Sequence, residues 1–337
     1  MKAYLLEKPG KPEVLKIREI AEPVPAPGQV KVKIQRIGIN YAEILSRRGQ
    51  YSWAPKRPYT PGMEAFGEVV EIGSDVTKFQ IGDLVIVGSQ YGSYAEYITA
   101  PEHLVFSTLD GFEKDENAAF LVNYMTAWVA LLKMGKMVSS DRVLIQAAAG
   151  GVGTAVVQLA KATGCEVFGT ASEEDKLELL KRLDADHPIN YRTEDFYTKI
   201  KETGHGVDLV LEMVGGEVFK KSLLLLNPFG RLVVCGYASI PLKKWNPLTW
   251  WPAWRDAPKV NVMNMAIGSY GIAASHLGYL TDHPEIAQGE WKKLKAFCAT
   301  HEIRPVVGHT FSFDELPQAH RLIESRKSIG KVVVQLA

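Results

Sequence analysis

The sequence predicts an α/β protein in two parts. A mostly antiparallel, barrel-like β domain comes first, a doubly wound parallel sheet follows, and a last segment returns to the first part. Three observations predict this. Short β-rich runs cut by Gly and Pro extend to about residue 121, a strand, glycine turn, helix, strand succession occupies the middle, and further apolar runs there are spaced by helix-length segments. In the first part Lys31–Ile34, Gly67–Ile72, Leu84–Val87 and Tyr94–Ile98 read as strands. A helical stretch around Asn123 leads to the apolar run Arg142–Gln146. After the turn, Thr154–Thr163 has the spacing of a helix and Glu166–Thr170 that of a second strand, which makes a βαβ unit. Val207–Glu212 and Gly230–Gly236 add two buried strands. Beyond about Tyr270 come a helix through Trp291–Lys295, a helix over Leu316–Glu324 and a final strand, Lys331–Val334. The domains are placed at 1–121 with 272–337, and at 122–271.

A chain of 337 residues has room for two domains, each with a real core. Hydrophobic residues at 46% and charged residues at 23% match globular composition and exclude a disordered tail protein or a membrane transporter. Lys and Arg number 39 against 38 Asp and Glu, a net charge of +1, too little for an overall field that holds nucleic acid or an anionic membrane. Cys165, Cys235 and Cys298 are odd in number and far apart, which suits neither a disulfide framework nor a metal knuckle and points to a reducing compartment. The opening residues break any signal-peptide pattern with charge and proline, and no uncharged stretch reads as a membrane span, so a cytoplasmic protein is expected.

The segment Gln146-Ala147-Ala148-Ala149-Gly150-Gly151-Val152-Gly153 lies between a strand and a helix, the context that makes a glycine fingerprint informative. Small residues let the backbone approach a pyrophosphate, and the helix N-terminus offers unpaired N–H donors. Ala148 takes the place of the first glycine of the G-x-G-x-x-G pattern. The second strand ends Thr170-Ala171-Ser172, without the carboxylate that an NAD site carries there for the ribose hydroxyls. Ser172 can donate to a 2′-phosphate and Lys176 can supply charge, so NADPH is expected over NADH.

This order of domains, with the motifs Gly38-Ile39-Asn40-Tyr41-Ala42-Glu43, Pro61-Gly62-Met63-Glu64-Ala65-Phe66-Gly67, Val122-Asn123-Tyr124-Met125-Thr126-Ala127 and Glu324-Ser325-Arg326-Lys327-Ser328-Ile329-Gly330-Lys331, resembles the medium-chain dehydrogenase/reductase superfamily. Within it the motifs resemble the zinc-free, zeta-crystallin-like quinone oxidoreductase branch. The Trp-rich stretch from Lys243 and Ala274–Leu280 resemble the synaptic-vesicle membrane protein homologues of that branch. The resemblance implies a GroES-like β-barrel catalytic domain, a Rossmann domain that binds NADPH, and reduction of a small quinone or an α,β-unsaturated carbonyl (enone). Zinc alcohol dehydrogenases of the superfamily hold their metal with Cys, His and Cys, and the matching positions here are Asn40, Met63 and about Val122, so no metal is expected.

By the same carry-over Asn40 contacts the substrate carbonyl, and Tyr51 donates a proton to, or orients, the developing enolate. Gly150, Gly151, Val152 and Gly153 face the pyrophosphate; Ser172, Lys176 and Tyr191, with Arg192 beside it, face the 2′-phosphate; Gly236 faces the nicotinamide end. Thr126, Arg326 and Lys331 complete the cofactor contacts. A 2-enoyl-thioester reductase and an NADPH-binding, membrane-associated adaptor with little catalysis stay open beside the quinone or enone reductase. Trp245, Trp250, Trp251 and Trp254 stand among basic residues and prolines and suit buried packing, an apolar pocket lining or peripheral membrane contact. The apolar run Val260–Ile267 reads as a sheet-edge strand, and such edges pair into homodimers in this superfamily.

Overall fold

Apolar alternation along Val30, Val32 and Ile34 slips by one residue and resumes at Ile37 and Ile39, and the fold absorbs the slip with a β-bulge against the neighbouring strand between Ile34 and Arg36. Without the extra residue the second half of the strand would turn its apolar face to water. The computed structural model describes residues 1–236 and 260–336, which form two units, Met1–Asn123 with Gly278–Ala337, and Tyr124–Leu277.

The first unit opens with β1 (Lys2–Leu5), β2 (Lys16–Glu19), β3 (Gln29–Ile39), α1 (Tyr41–Arg48), β4 (Glu64–Ile72), β5 (Leu84–Gly88), β6 (Tyr97–Pro101) and β7 (Val105–Ser107). The helix α2 (Lys114–Trp128) leads into the second unit. There β8 (Arg142–Ile145), α3 (Gly151–Thr163), β9 (Glu166–Ala171), α4 (Glu174–Arg182), β10 (His187–Asn190), α5 (Phe196–Glu202), β11 (Val207–Glu212), α6 (Gly216–Leu224), β12 (Leu226–Val234), α7 (Val262–Gly268) and β13 (Gly271–Ala274) follow. The chain then returns to the first unit with α8 (Pro284–Thr300), β14 (Val307–Ser312), α9 (Leu316–Glu324) and β15 (Lys331–Gln335).

In the first unit β3 pairs with β4 on one side and, on the other, with β6 over its first half and β15 over its second. The pairs are antiparallel except β14 with β15. Val30, Val32, Ile37, Val69, Val85 and Val334 form the core of this sheet. In the second unit the sheet order β10-β9-β8-β11-β12-β13 is parallel throughout. Counted within the unit this is 3-2-1-4-5-6, the Rossmann order, whose reversal between β8 and β11 places a ligand crevice at the strands' carboxyl ends. Leu144, Phe168, Val210 and Leu232 centre its core.

Several elements differ from expectation. The helix α1 went unpredicted, although Asn40-x-x-Glu43 spells a capping box that the structure forms. The strand expected at Tyr94–Ile98 begins at Tyr97, because Tyr94 N–H turns to Pro61 O (2.9 Å) and the Tyr94 ring is buried. The strand expected at Val260–Ile267 is instead the helix α7. Asn261 caps it by accepting from Met263 N (2.9 Å) and Asn264 N (3.4 Å), and Ser269 ends it in the left-handed region. The sheet edge is β13, whose pairing with β12 ties residues 271–274 to the second unit, so the return begins at Gly278 rather than at residue 272. Trp245, Trp250, Trp251 and Trp254 lie outside the described residues. Among the described residues no helix is long and apolar enough to cross a membrane.

Candidate active site

The glycine turn leaves β8 through Ala147, whose φ of 54° is left-handed, and is tied to β9 by Ala148 N donating to Thr170 O (2.9 Å) and Thr170 Oγ1 donating to Gln146 Oε1 (2.8 Å). Gly150 then starts α3 as its N-cap residue. A Cβ on Gly153 would stand 2.4 Å from Ala147 O and 2.6 Å from Ala148 C, so only glycine lets helix and turn pack this closely. Helix N-terminal amides have no intrahelical acceptor, and here they open at the carboxyl end of the first strand of the parallel sheet, a site that fits a pyrophosphate.

At the end of β9, Ser172 and Lys176 are both buried, and burial pushes the Lys176 ammonium below its ordinary range, against the pull of Glu173 and Asp175. Tyr191 follows β10, donates its N–H to Ala171 O (3.0 Å) and is half exposed; Arg192 Nη1 lies 3.3 Å from Glu173 Oε1. The structure thus brings Ser172 and the start of α4 with Lys176, and Tyr191 with Arg192, to the adjacent carboxyl ends of β9 and β10, with no carboxylate at position 172. Thr126 lies half-buried on α2, Gly236 just beyond β12 with an ordinary 3.6 Å between an added Cβ and Met213 O, and Arg326 exposed after α9.

Asn40 caps α1 and is buried at the end of β3. Its Oδ1 accepts from Lys331 Nζ (2.7 Å) and its Nδ2 donates to Glu64 Oε1 (3.1 Å), which fixes the carboxamide's orientation. Lys331 also donates to Glu64 directly and to Asn123 Oδ1 (3.4 Å), and Glu64 Oε2 accepts from Val122 N (2.9 Å). Lys331, expected at a cofactor phosphate, is therefore engaged inside the first unit. Its ammonium and the Glu64 carboxylate are both out of solvent and each satisfies the other.

Behind Asn40 runs a second buried line. The Glu43 carboxylate accepts from Asn40 N (2.7 Å), Met63 N (2.8 Å) and the Tyr94 hydroxyl (2.7 Å). The Tyr94 oxygen meets His320 Nε2 at 2.9 Å, and His320 Nδ1 accepts from Arg47 Nε (3.3 Å). Arg47 pairs with Glu324. Burial, then the Arg47 charge, push His320 down to about 3. The unfolded chain takes up this proton below about pH 6.5 and the native chain does not, so the contribution is present above that pH and is lost as the pH falls toward 3. On going from pH 7 to pH 5, His320→Gln is expected to lose about 2 kcal/mol less stability than the wild type, as measured by denaturant titration. Equal losses would show that native His320 takes up the proton.

Tyr51 lies in the loop after α1, its ring edge-on to Trp53 at 6.4 Å, and burial followed by the Glu43 charge pushes its phenol up to about 12. It is thus a neutral donor across the working pH range. Glu43, Glu64, Tyr94, Asn123 and His320 were not singled out from the sequence. Only the Asn40–Glu43 capping pattern is a local signal, whereas His320 and Lys331 arrive from the far end of the chain.

The residues at the zinc alcohol dehydrogenases' ligand positions do not fit that metal. Asn40 offers a carboxamide already facing an ammonium, Met63 a thioether and Val122 no donor side chain, where zinc takes thiolate or imidazole. Among the described residues no group of three or more His, Cys, Asp or Glu could hold a metal ion.

Family models match two stretches, an alcohol dehydrogenase GroES-like domain over residues 26–110 and a zinc-binding dehydrogenase over residues 183–334. The synaptic vesicle membrane protein VAT-1 homolog of Homo sapiens is 34% identical over 95% of this chain and 82% of its own length. The quinone oxidoreductase of Homo sapiens is 30% identical over 100% of this chain and 98% of its own length. Among solved structures, Escherichia coli quinone oxidoreductase complexed with NADPH superposes with a TM-score of 0.88 at 27% identity, over 99% of this chain and 100% of that one. With its GroES-like and Rossmann units and these full-length relatives, the chain belongs to the medium-chain dehydrogenase/reductase superfamily, among the quinone oxidoreductases and VAT-1 homologues.

Proposed function

We propose that this protein is an NADPH-dependent reductase of small quinones or α,β-unsaturated carbonyl compounds that works without zinc. The buried group around Asn40 carries the reading. Where zinc members hold a metal, this chain offers amide and thioether donors and an ammonium paired with Glu64, so activation of the acceptor falls to hydrogen bonds. Acceptors whose own conjugation spreads the incoming charge are the ones that such a site suits.

Bound NADPH would supply a hydride. Gly150, Gly151, Val152 and Gly153 would hold its pyrophosphate; Ser172, Lys176, Tyr191 and Arg192 its 2′-phosphate; Thr126, Gly236 and Arg326 would line the rest. Asn40, its carboxamide held by Lys331 and Glu64, would orient the acceptor's oxygen by turning to it the Nδ2 hydrogen that otherwise makes the long 3.5 Å contact with Glu43. Tyr51 hydrogen-bonds the same oxygen as negative charge grows there. Tyr51→Phe is expected to lower kcat at least about tenfold, roughly 1.4 kcal/mol of barrier. A loss below about threefold in steady-state assays would remove Tyr51 from the mechanism.

The decisive measurement is NADPH oxidation with quinones, enones and enoyl thioesters compared side by side, before and after dialysis against a chelator. Turnover with quinones or enones that survives chelation is expected. Faster turnover of an enoyl thioester would reassign the substrate class, and stoichiometric zinc in active protein would overturn the metal-free reading.

A further inference from the structure

Glu43 is fully buried, and both its oxygens are occupied. Oε2 takes Asn40 N and the Tyr94 hydroxyl, while Oε1 takes Met63 N and, at 3.5 Å, Asn40 Nδ2. The line behind it has a fixed sense. Arginine only donates, so His320 Nδ1 is bare, the neutral ring carries its hydrogen on Nε2 and gives it to the Tyr94 oxygen, and the Tyr94 hydrogen is left for Glu43. Arg47 does not release a proton either, so the line is no conduit from solvent and Glu43 is its closed end.

The groups that bear on Glu43 come from every side. Tyr51 and Tyr59 lie in the loop after α1 and feel its charge; Met63 precedes β4; Tyr94 precedes β6; Lys331 on β15 attracts it; Glu64 reaches it through the Asn40 carboxamide, and His320 and Arg47 through Tyr94.

We propose that Glu43 is a proton-dependent positioning residue for the reduction: its carboxyl anchors the Asn40 turn, and its charge sets how readily the Tyr51 hydroxyl gives up a proton. The inference rests on the reductase reading of Tyr51. In that step the Tyr51 O–H bond breaks, an O–H bond forms on the acceptor's oxygen, and the phenolate recovers a proton from solvent. A carboxylate at Glu43 disfavours the phenolate, whereas a neutral carboxyl does not. Burial pushes Glu43 up to about 7, opposed by the Asn40 N–H, the Tyr94 hydroxyl, Lys331 and the Met63 N–H, which puts the change of charge near neutrality. Below that pH Tyr51 is the stronger acid, and above it the weaker.

The test uses the full chain with NADPH and an accepted quinone, and follows kcat across pH for the wild type, Glu43→Gln and Tyr94→Phe. In the wild type kcat is expected to fall as pH rises through about 7; Glu43→Gln removes this limb, with KM changed less than kcat. Tyr94→Phe takes a donor from the carboxylate and moves the limb to higher pH. A folded Glu43→Gln that keeps the limb, or a limb unmoved in Tyr94→Phe, overturns the proposal. Infrared titration supplies a readout without turnover: a buried carboxylic acid band should grow as pH falls through about 7, shift upward in pH in Tyr94→Phe and be missing from Glu43→Gln. A band that fails to titrate near neutrality overturns the role of Glu43 by itself. A wild type inactive with every acceptor overturns instead the reductase reading, and with it the coupling to Tyr51.

Discussion

Lys331→Met is expected to lower the stability of the first unit by about 3–5 kcal/mol, the cost of leaving one partner of a buried ion pair alone. Lys331 is 2% exposed and Glu64 0%, so water does not replace the missing ammonium. The Glu64 carboxylate would keep only Asn40 Nδ2 and Val122 N. Removing the charge from both partners, in Lys331→Met with Glu64→Gln, should restore most of the loss, because no unpaired ion remains to be held out of water. Denaturant unfolding of the two variants separates the effects. A single variant within about 0.5 kcal/mol of the wild type would show that the ammonium is not held as described.

Ser172→Asp combined with Lys176→Ala is expected to turn the cofactor preference from NADPH toward NADH, changing the ratio of their kcat/KM values roughly a hundredfold or more. The double change removes a hydroxyl donor and an ammonium, each worth about 1.5–3 kcal/mol to a phosphate, and adds a carboxylate that repels it while accepting from ribose hydroxyls. Burial supports the size of the effect: Lys176 is 6% exposed and Ser172 4%, so bulk water screens their charges and dipoles little. Steady-state kinetics with both cofactors decide the matter, and unchanged selectivity would refute the assignment. Glu173 and Asp175 beside Lys176 do not reverse this expectation, since Glu173 is paired with Arg192, which stands at the adjacent end of β10.

The second unit was legible in detail because its signals are local. Val207–Glu212 is a strand with the expected bounds, and α3 starts directly at the glycine turn. A strand buried on both faces is a continuous apolar run, and a tight glycine turn into a helix is a fixed spacing of small residues, so each is written within a few neighbouring positions. The run Val260–Ile267 was misread for the same reason in reverse. A short apolar stretch has no periodicity that separates strand from helix, and the Asn261 cap decides the outcome.

By itself the sequence determined the two-part α/β architecture, the glycine turn after the first strand of the parallel sheet, the missing carboxylate at position 172 and an amide and a thioether side chain at Asn40 and Met63. Only the tertiary structure decided what surrounds Asn40: Lys331, 291 positions away, lies on its carboxamide, and His320, 273 positions from Arg47, is buried between Arg47 and the Tyr94 hydroxyl behind Glu43. Turn chemistry and periodicity act between near neighbours. The pairing and burial of charges depend on which distant strands and helices pack together, and no local pattern encodes that partnership.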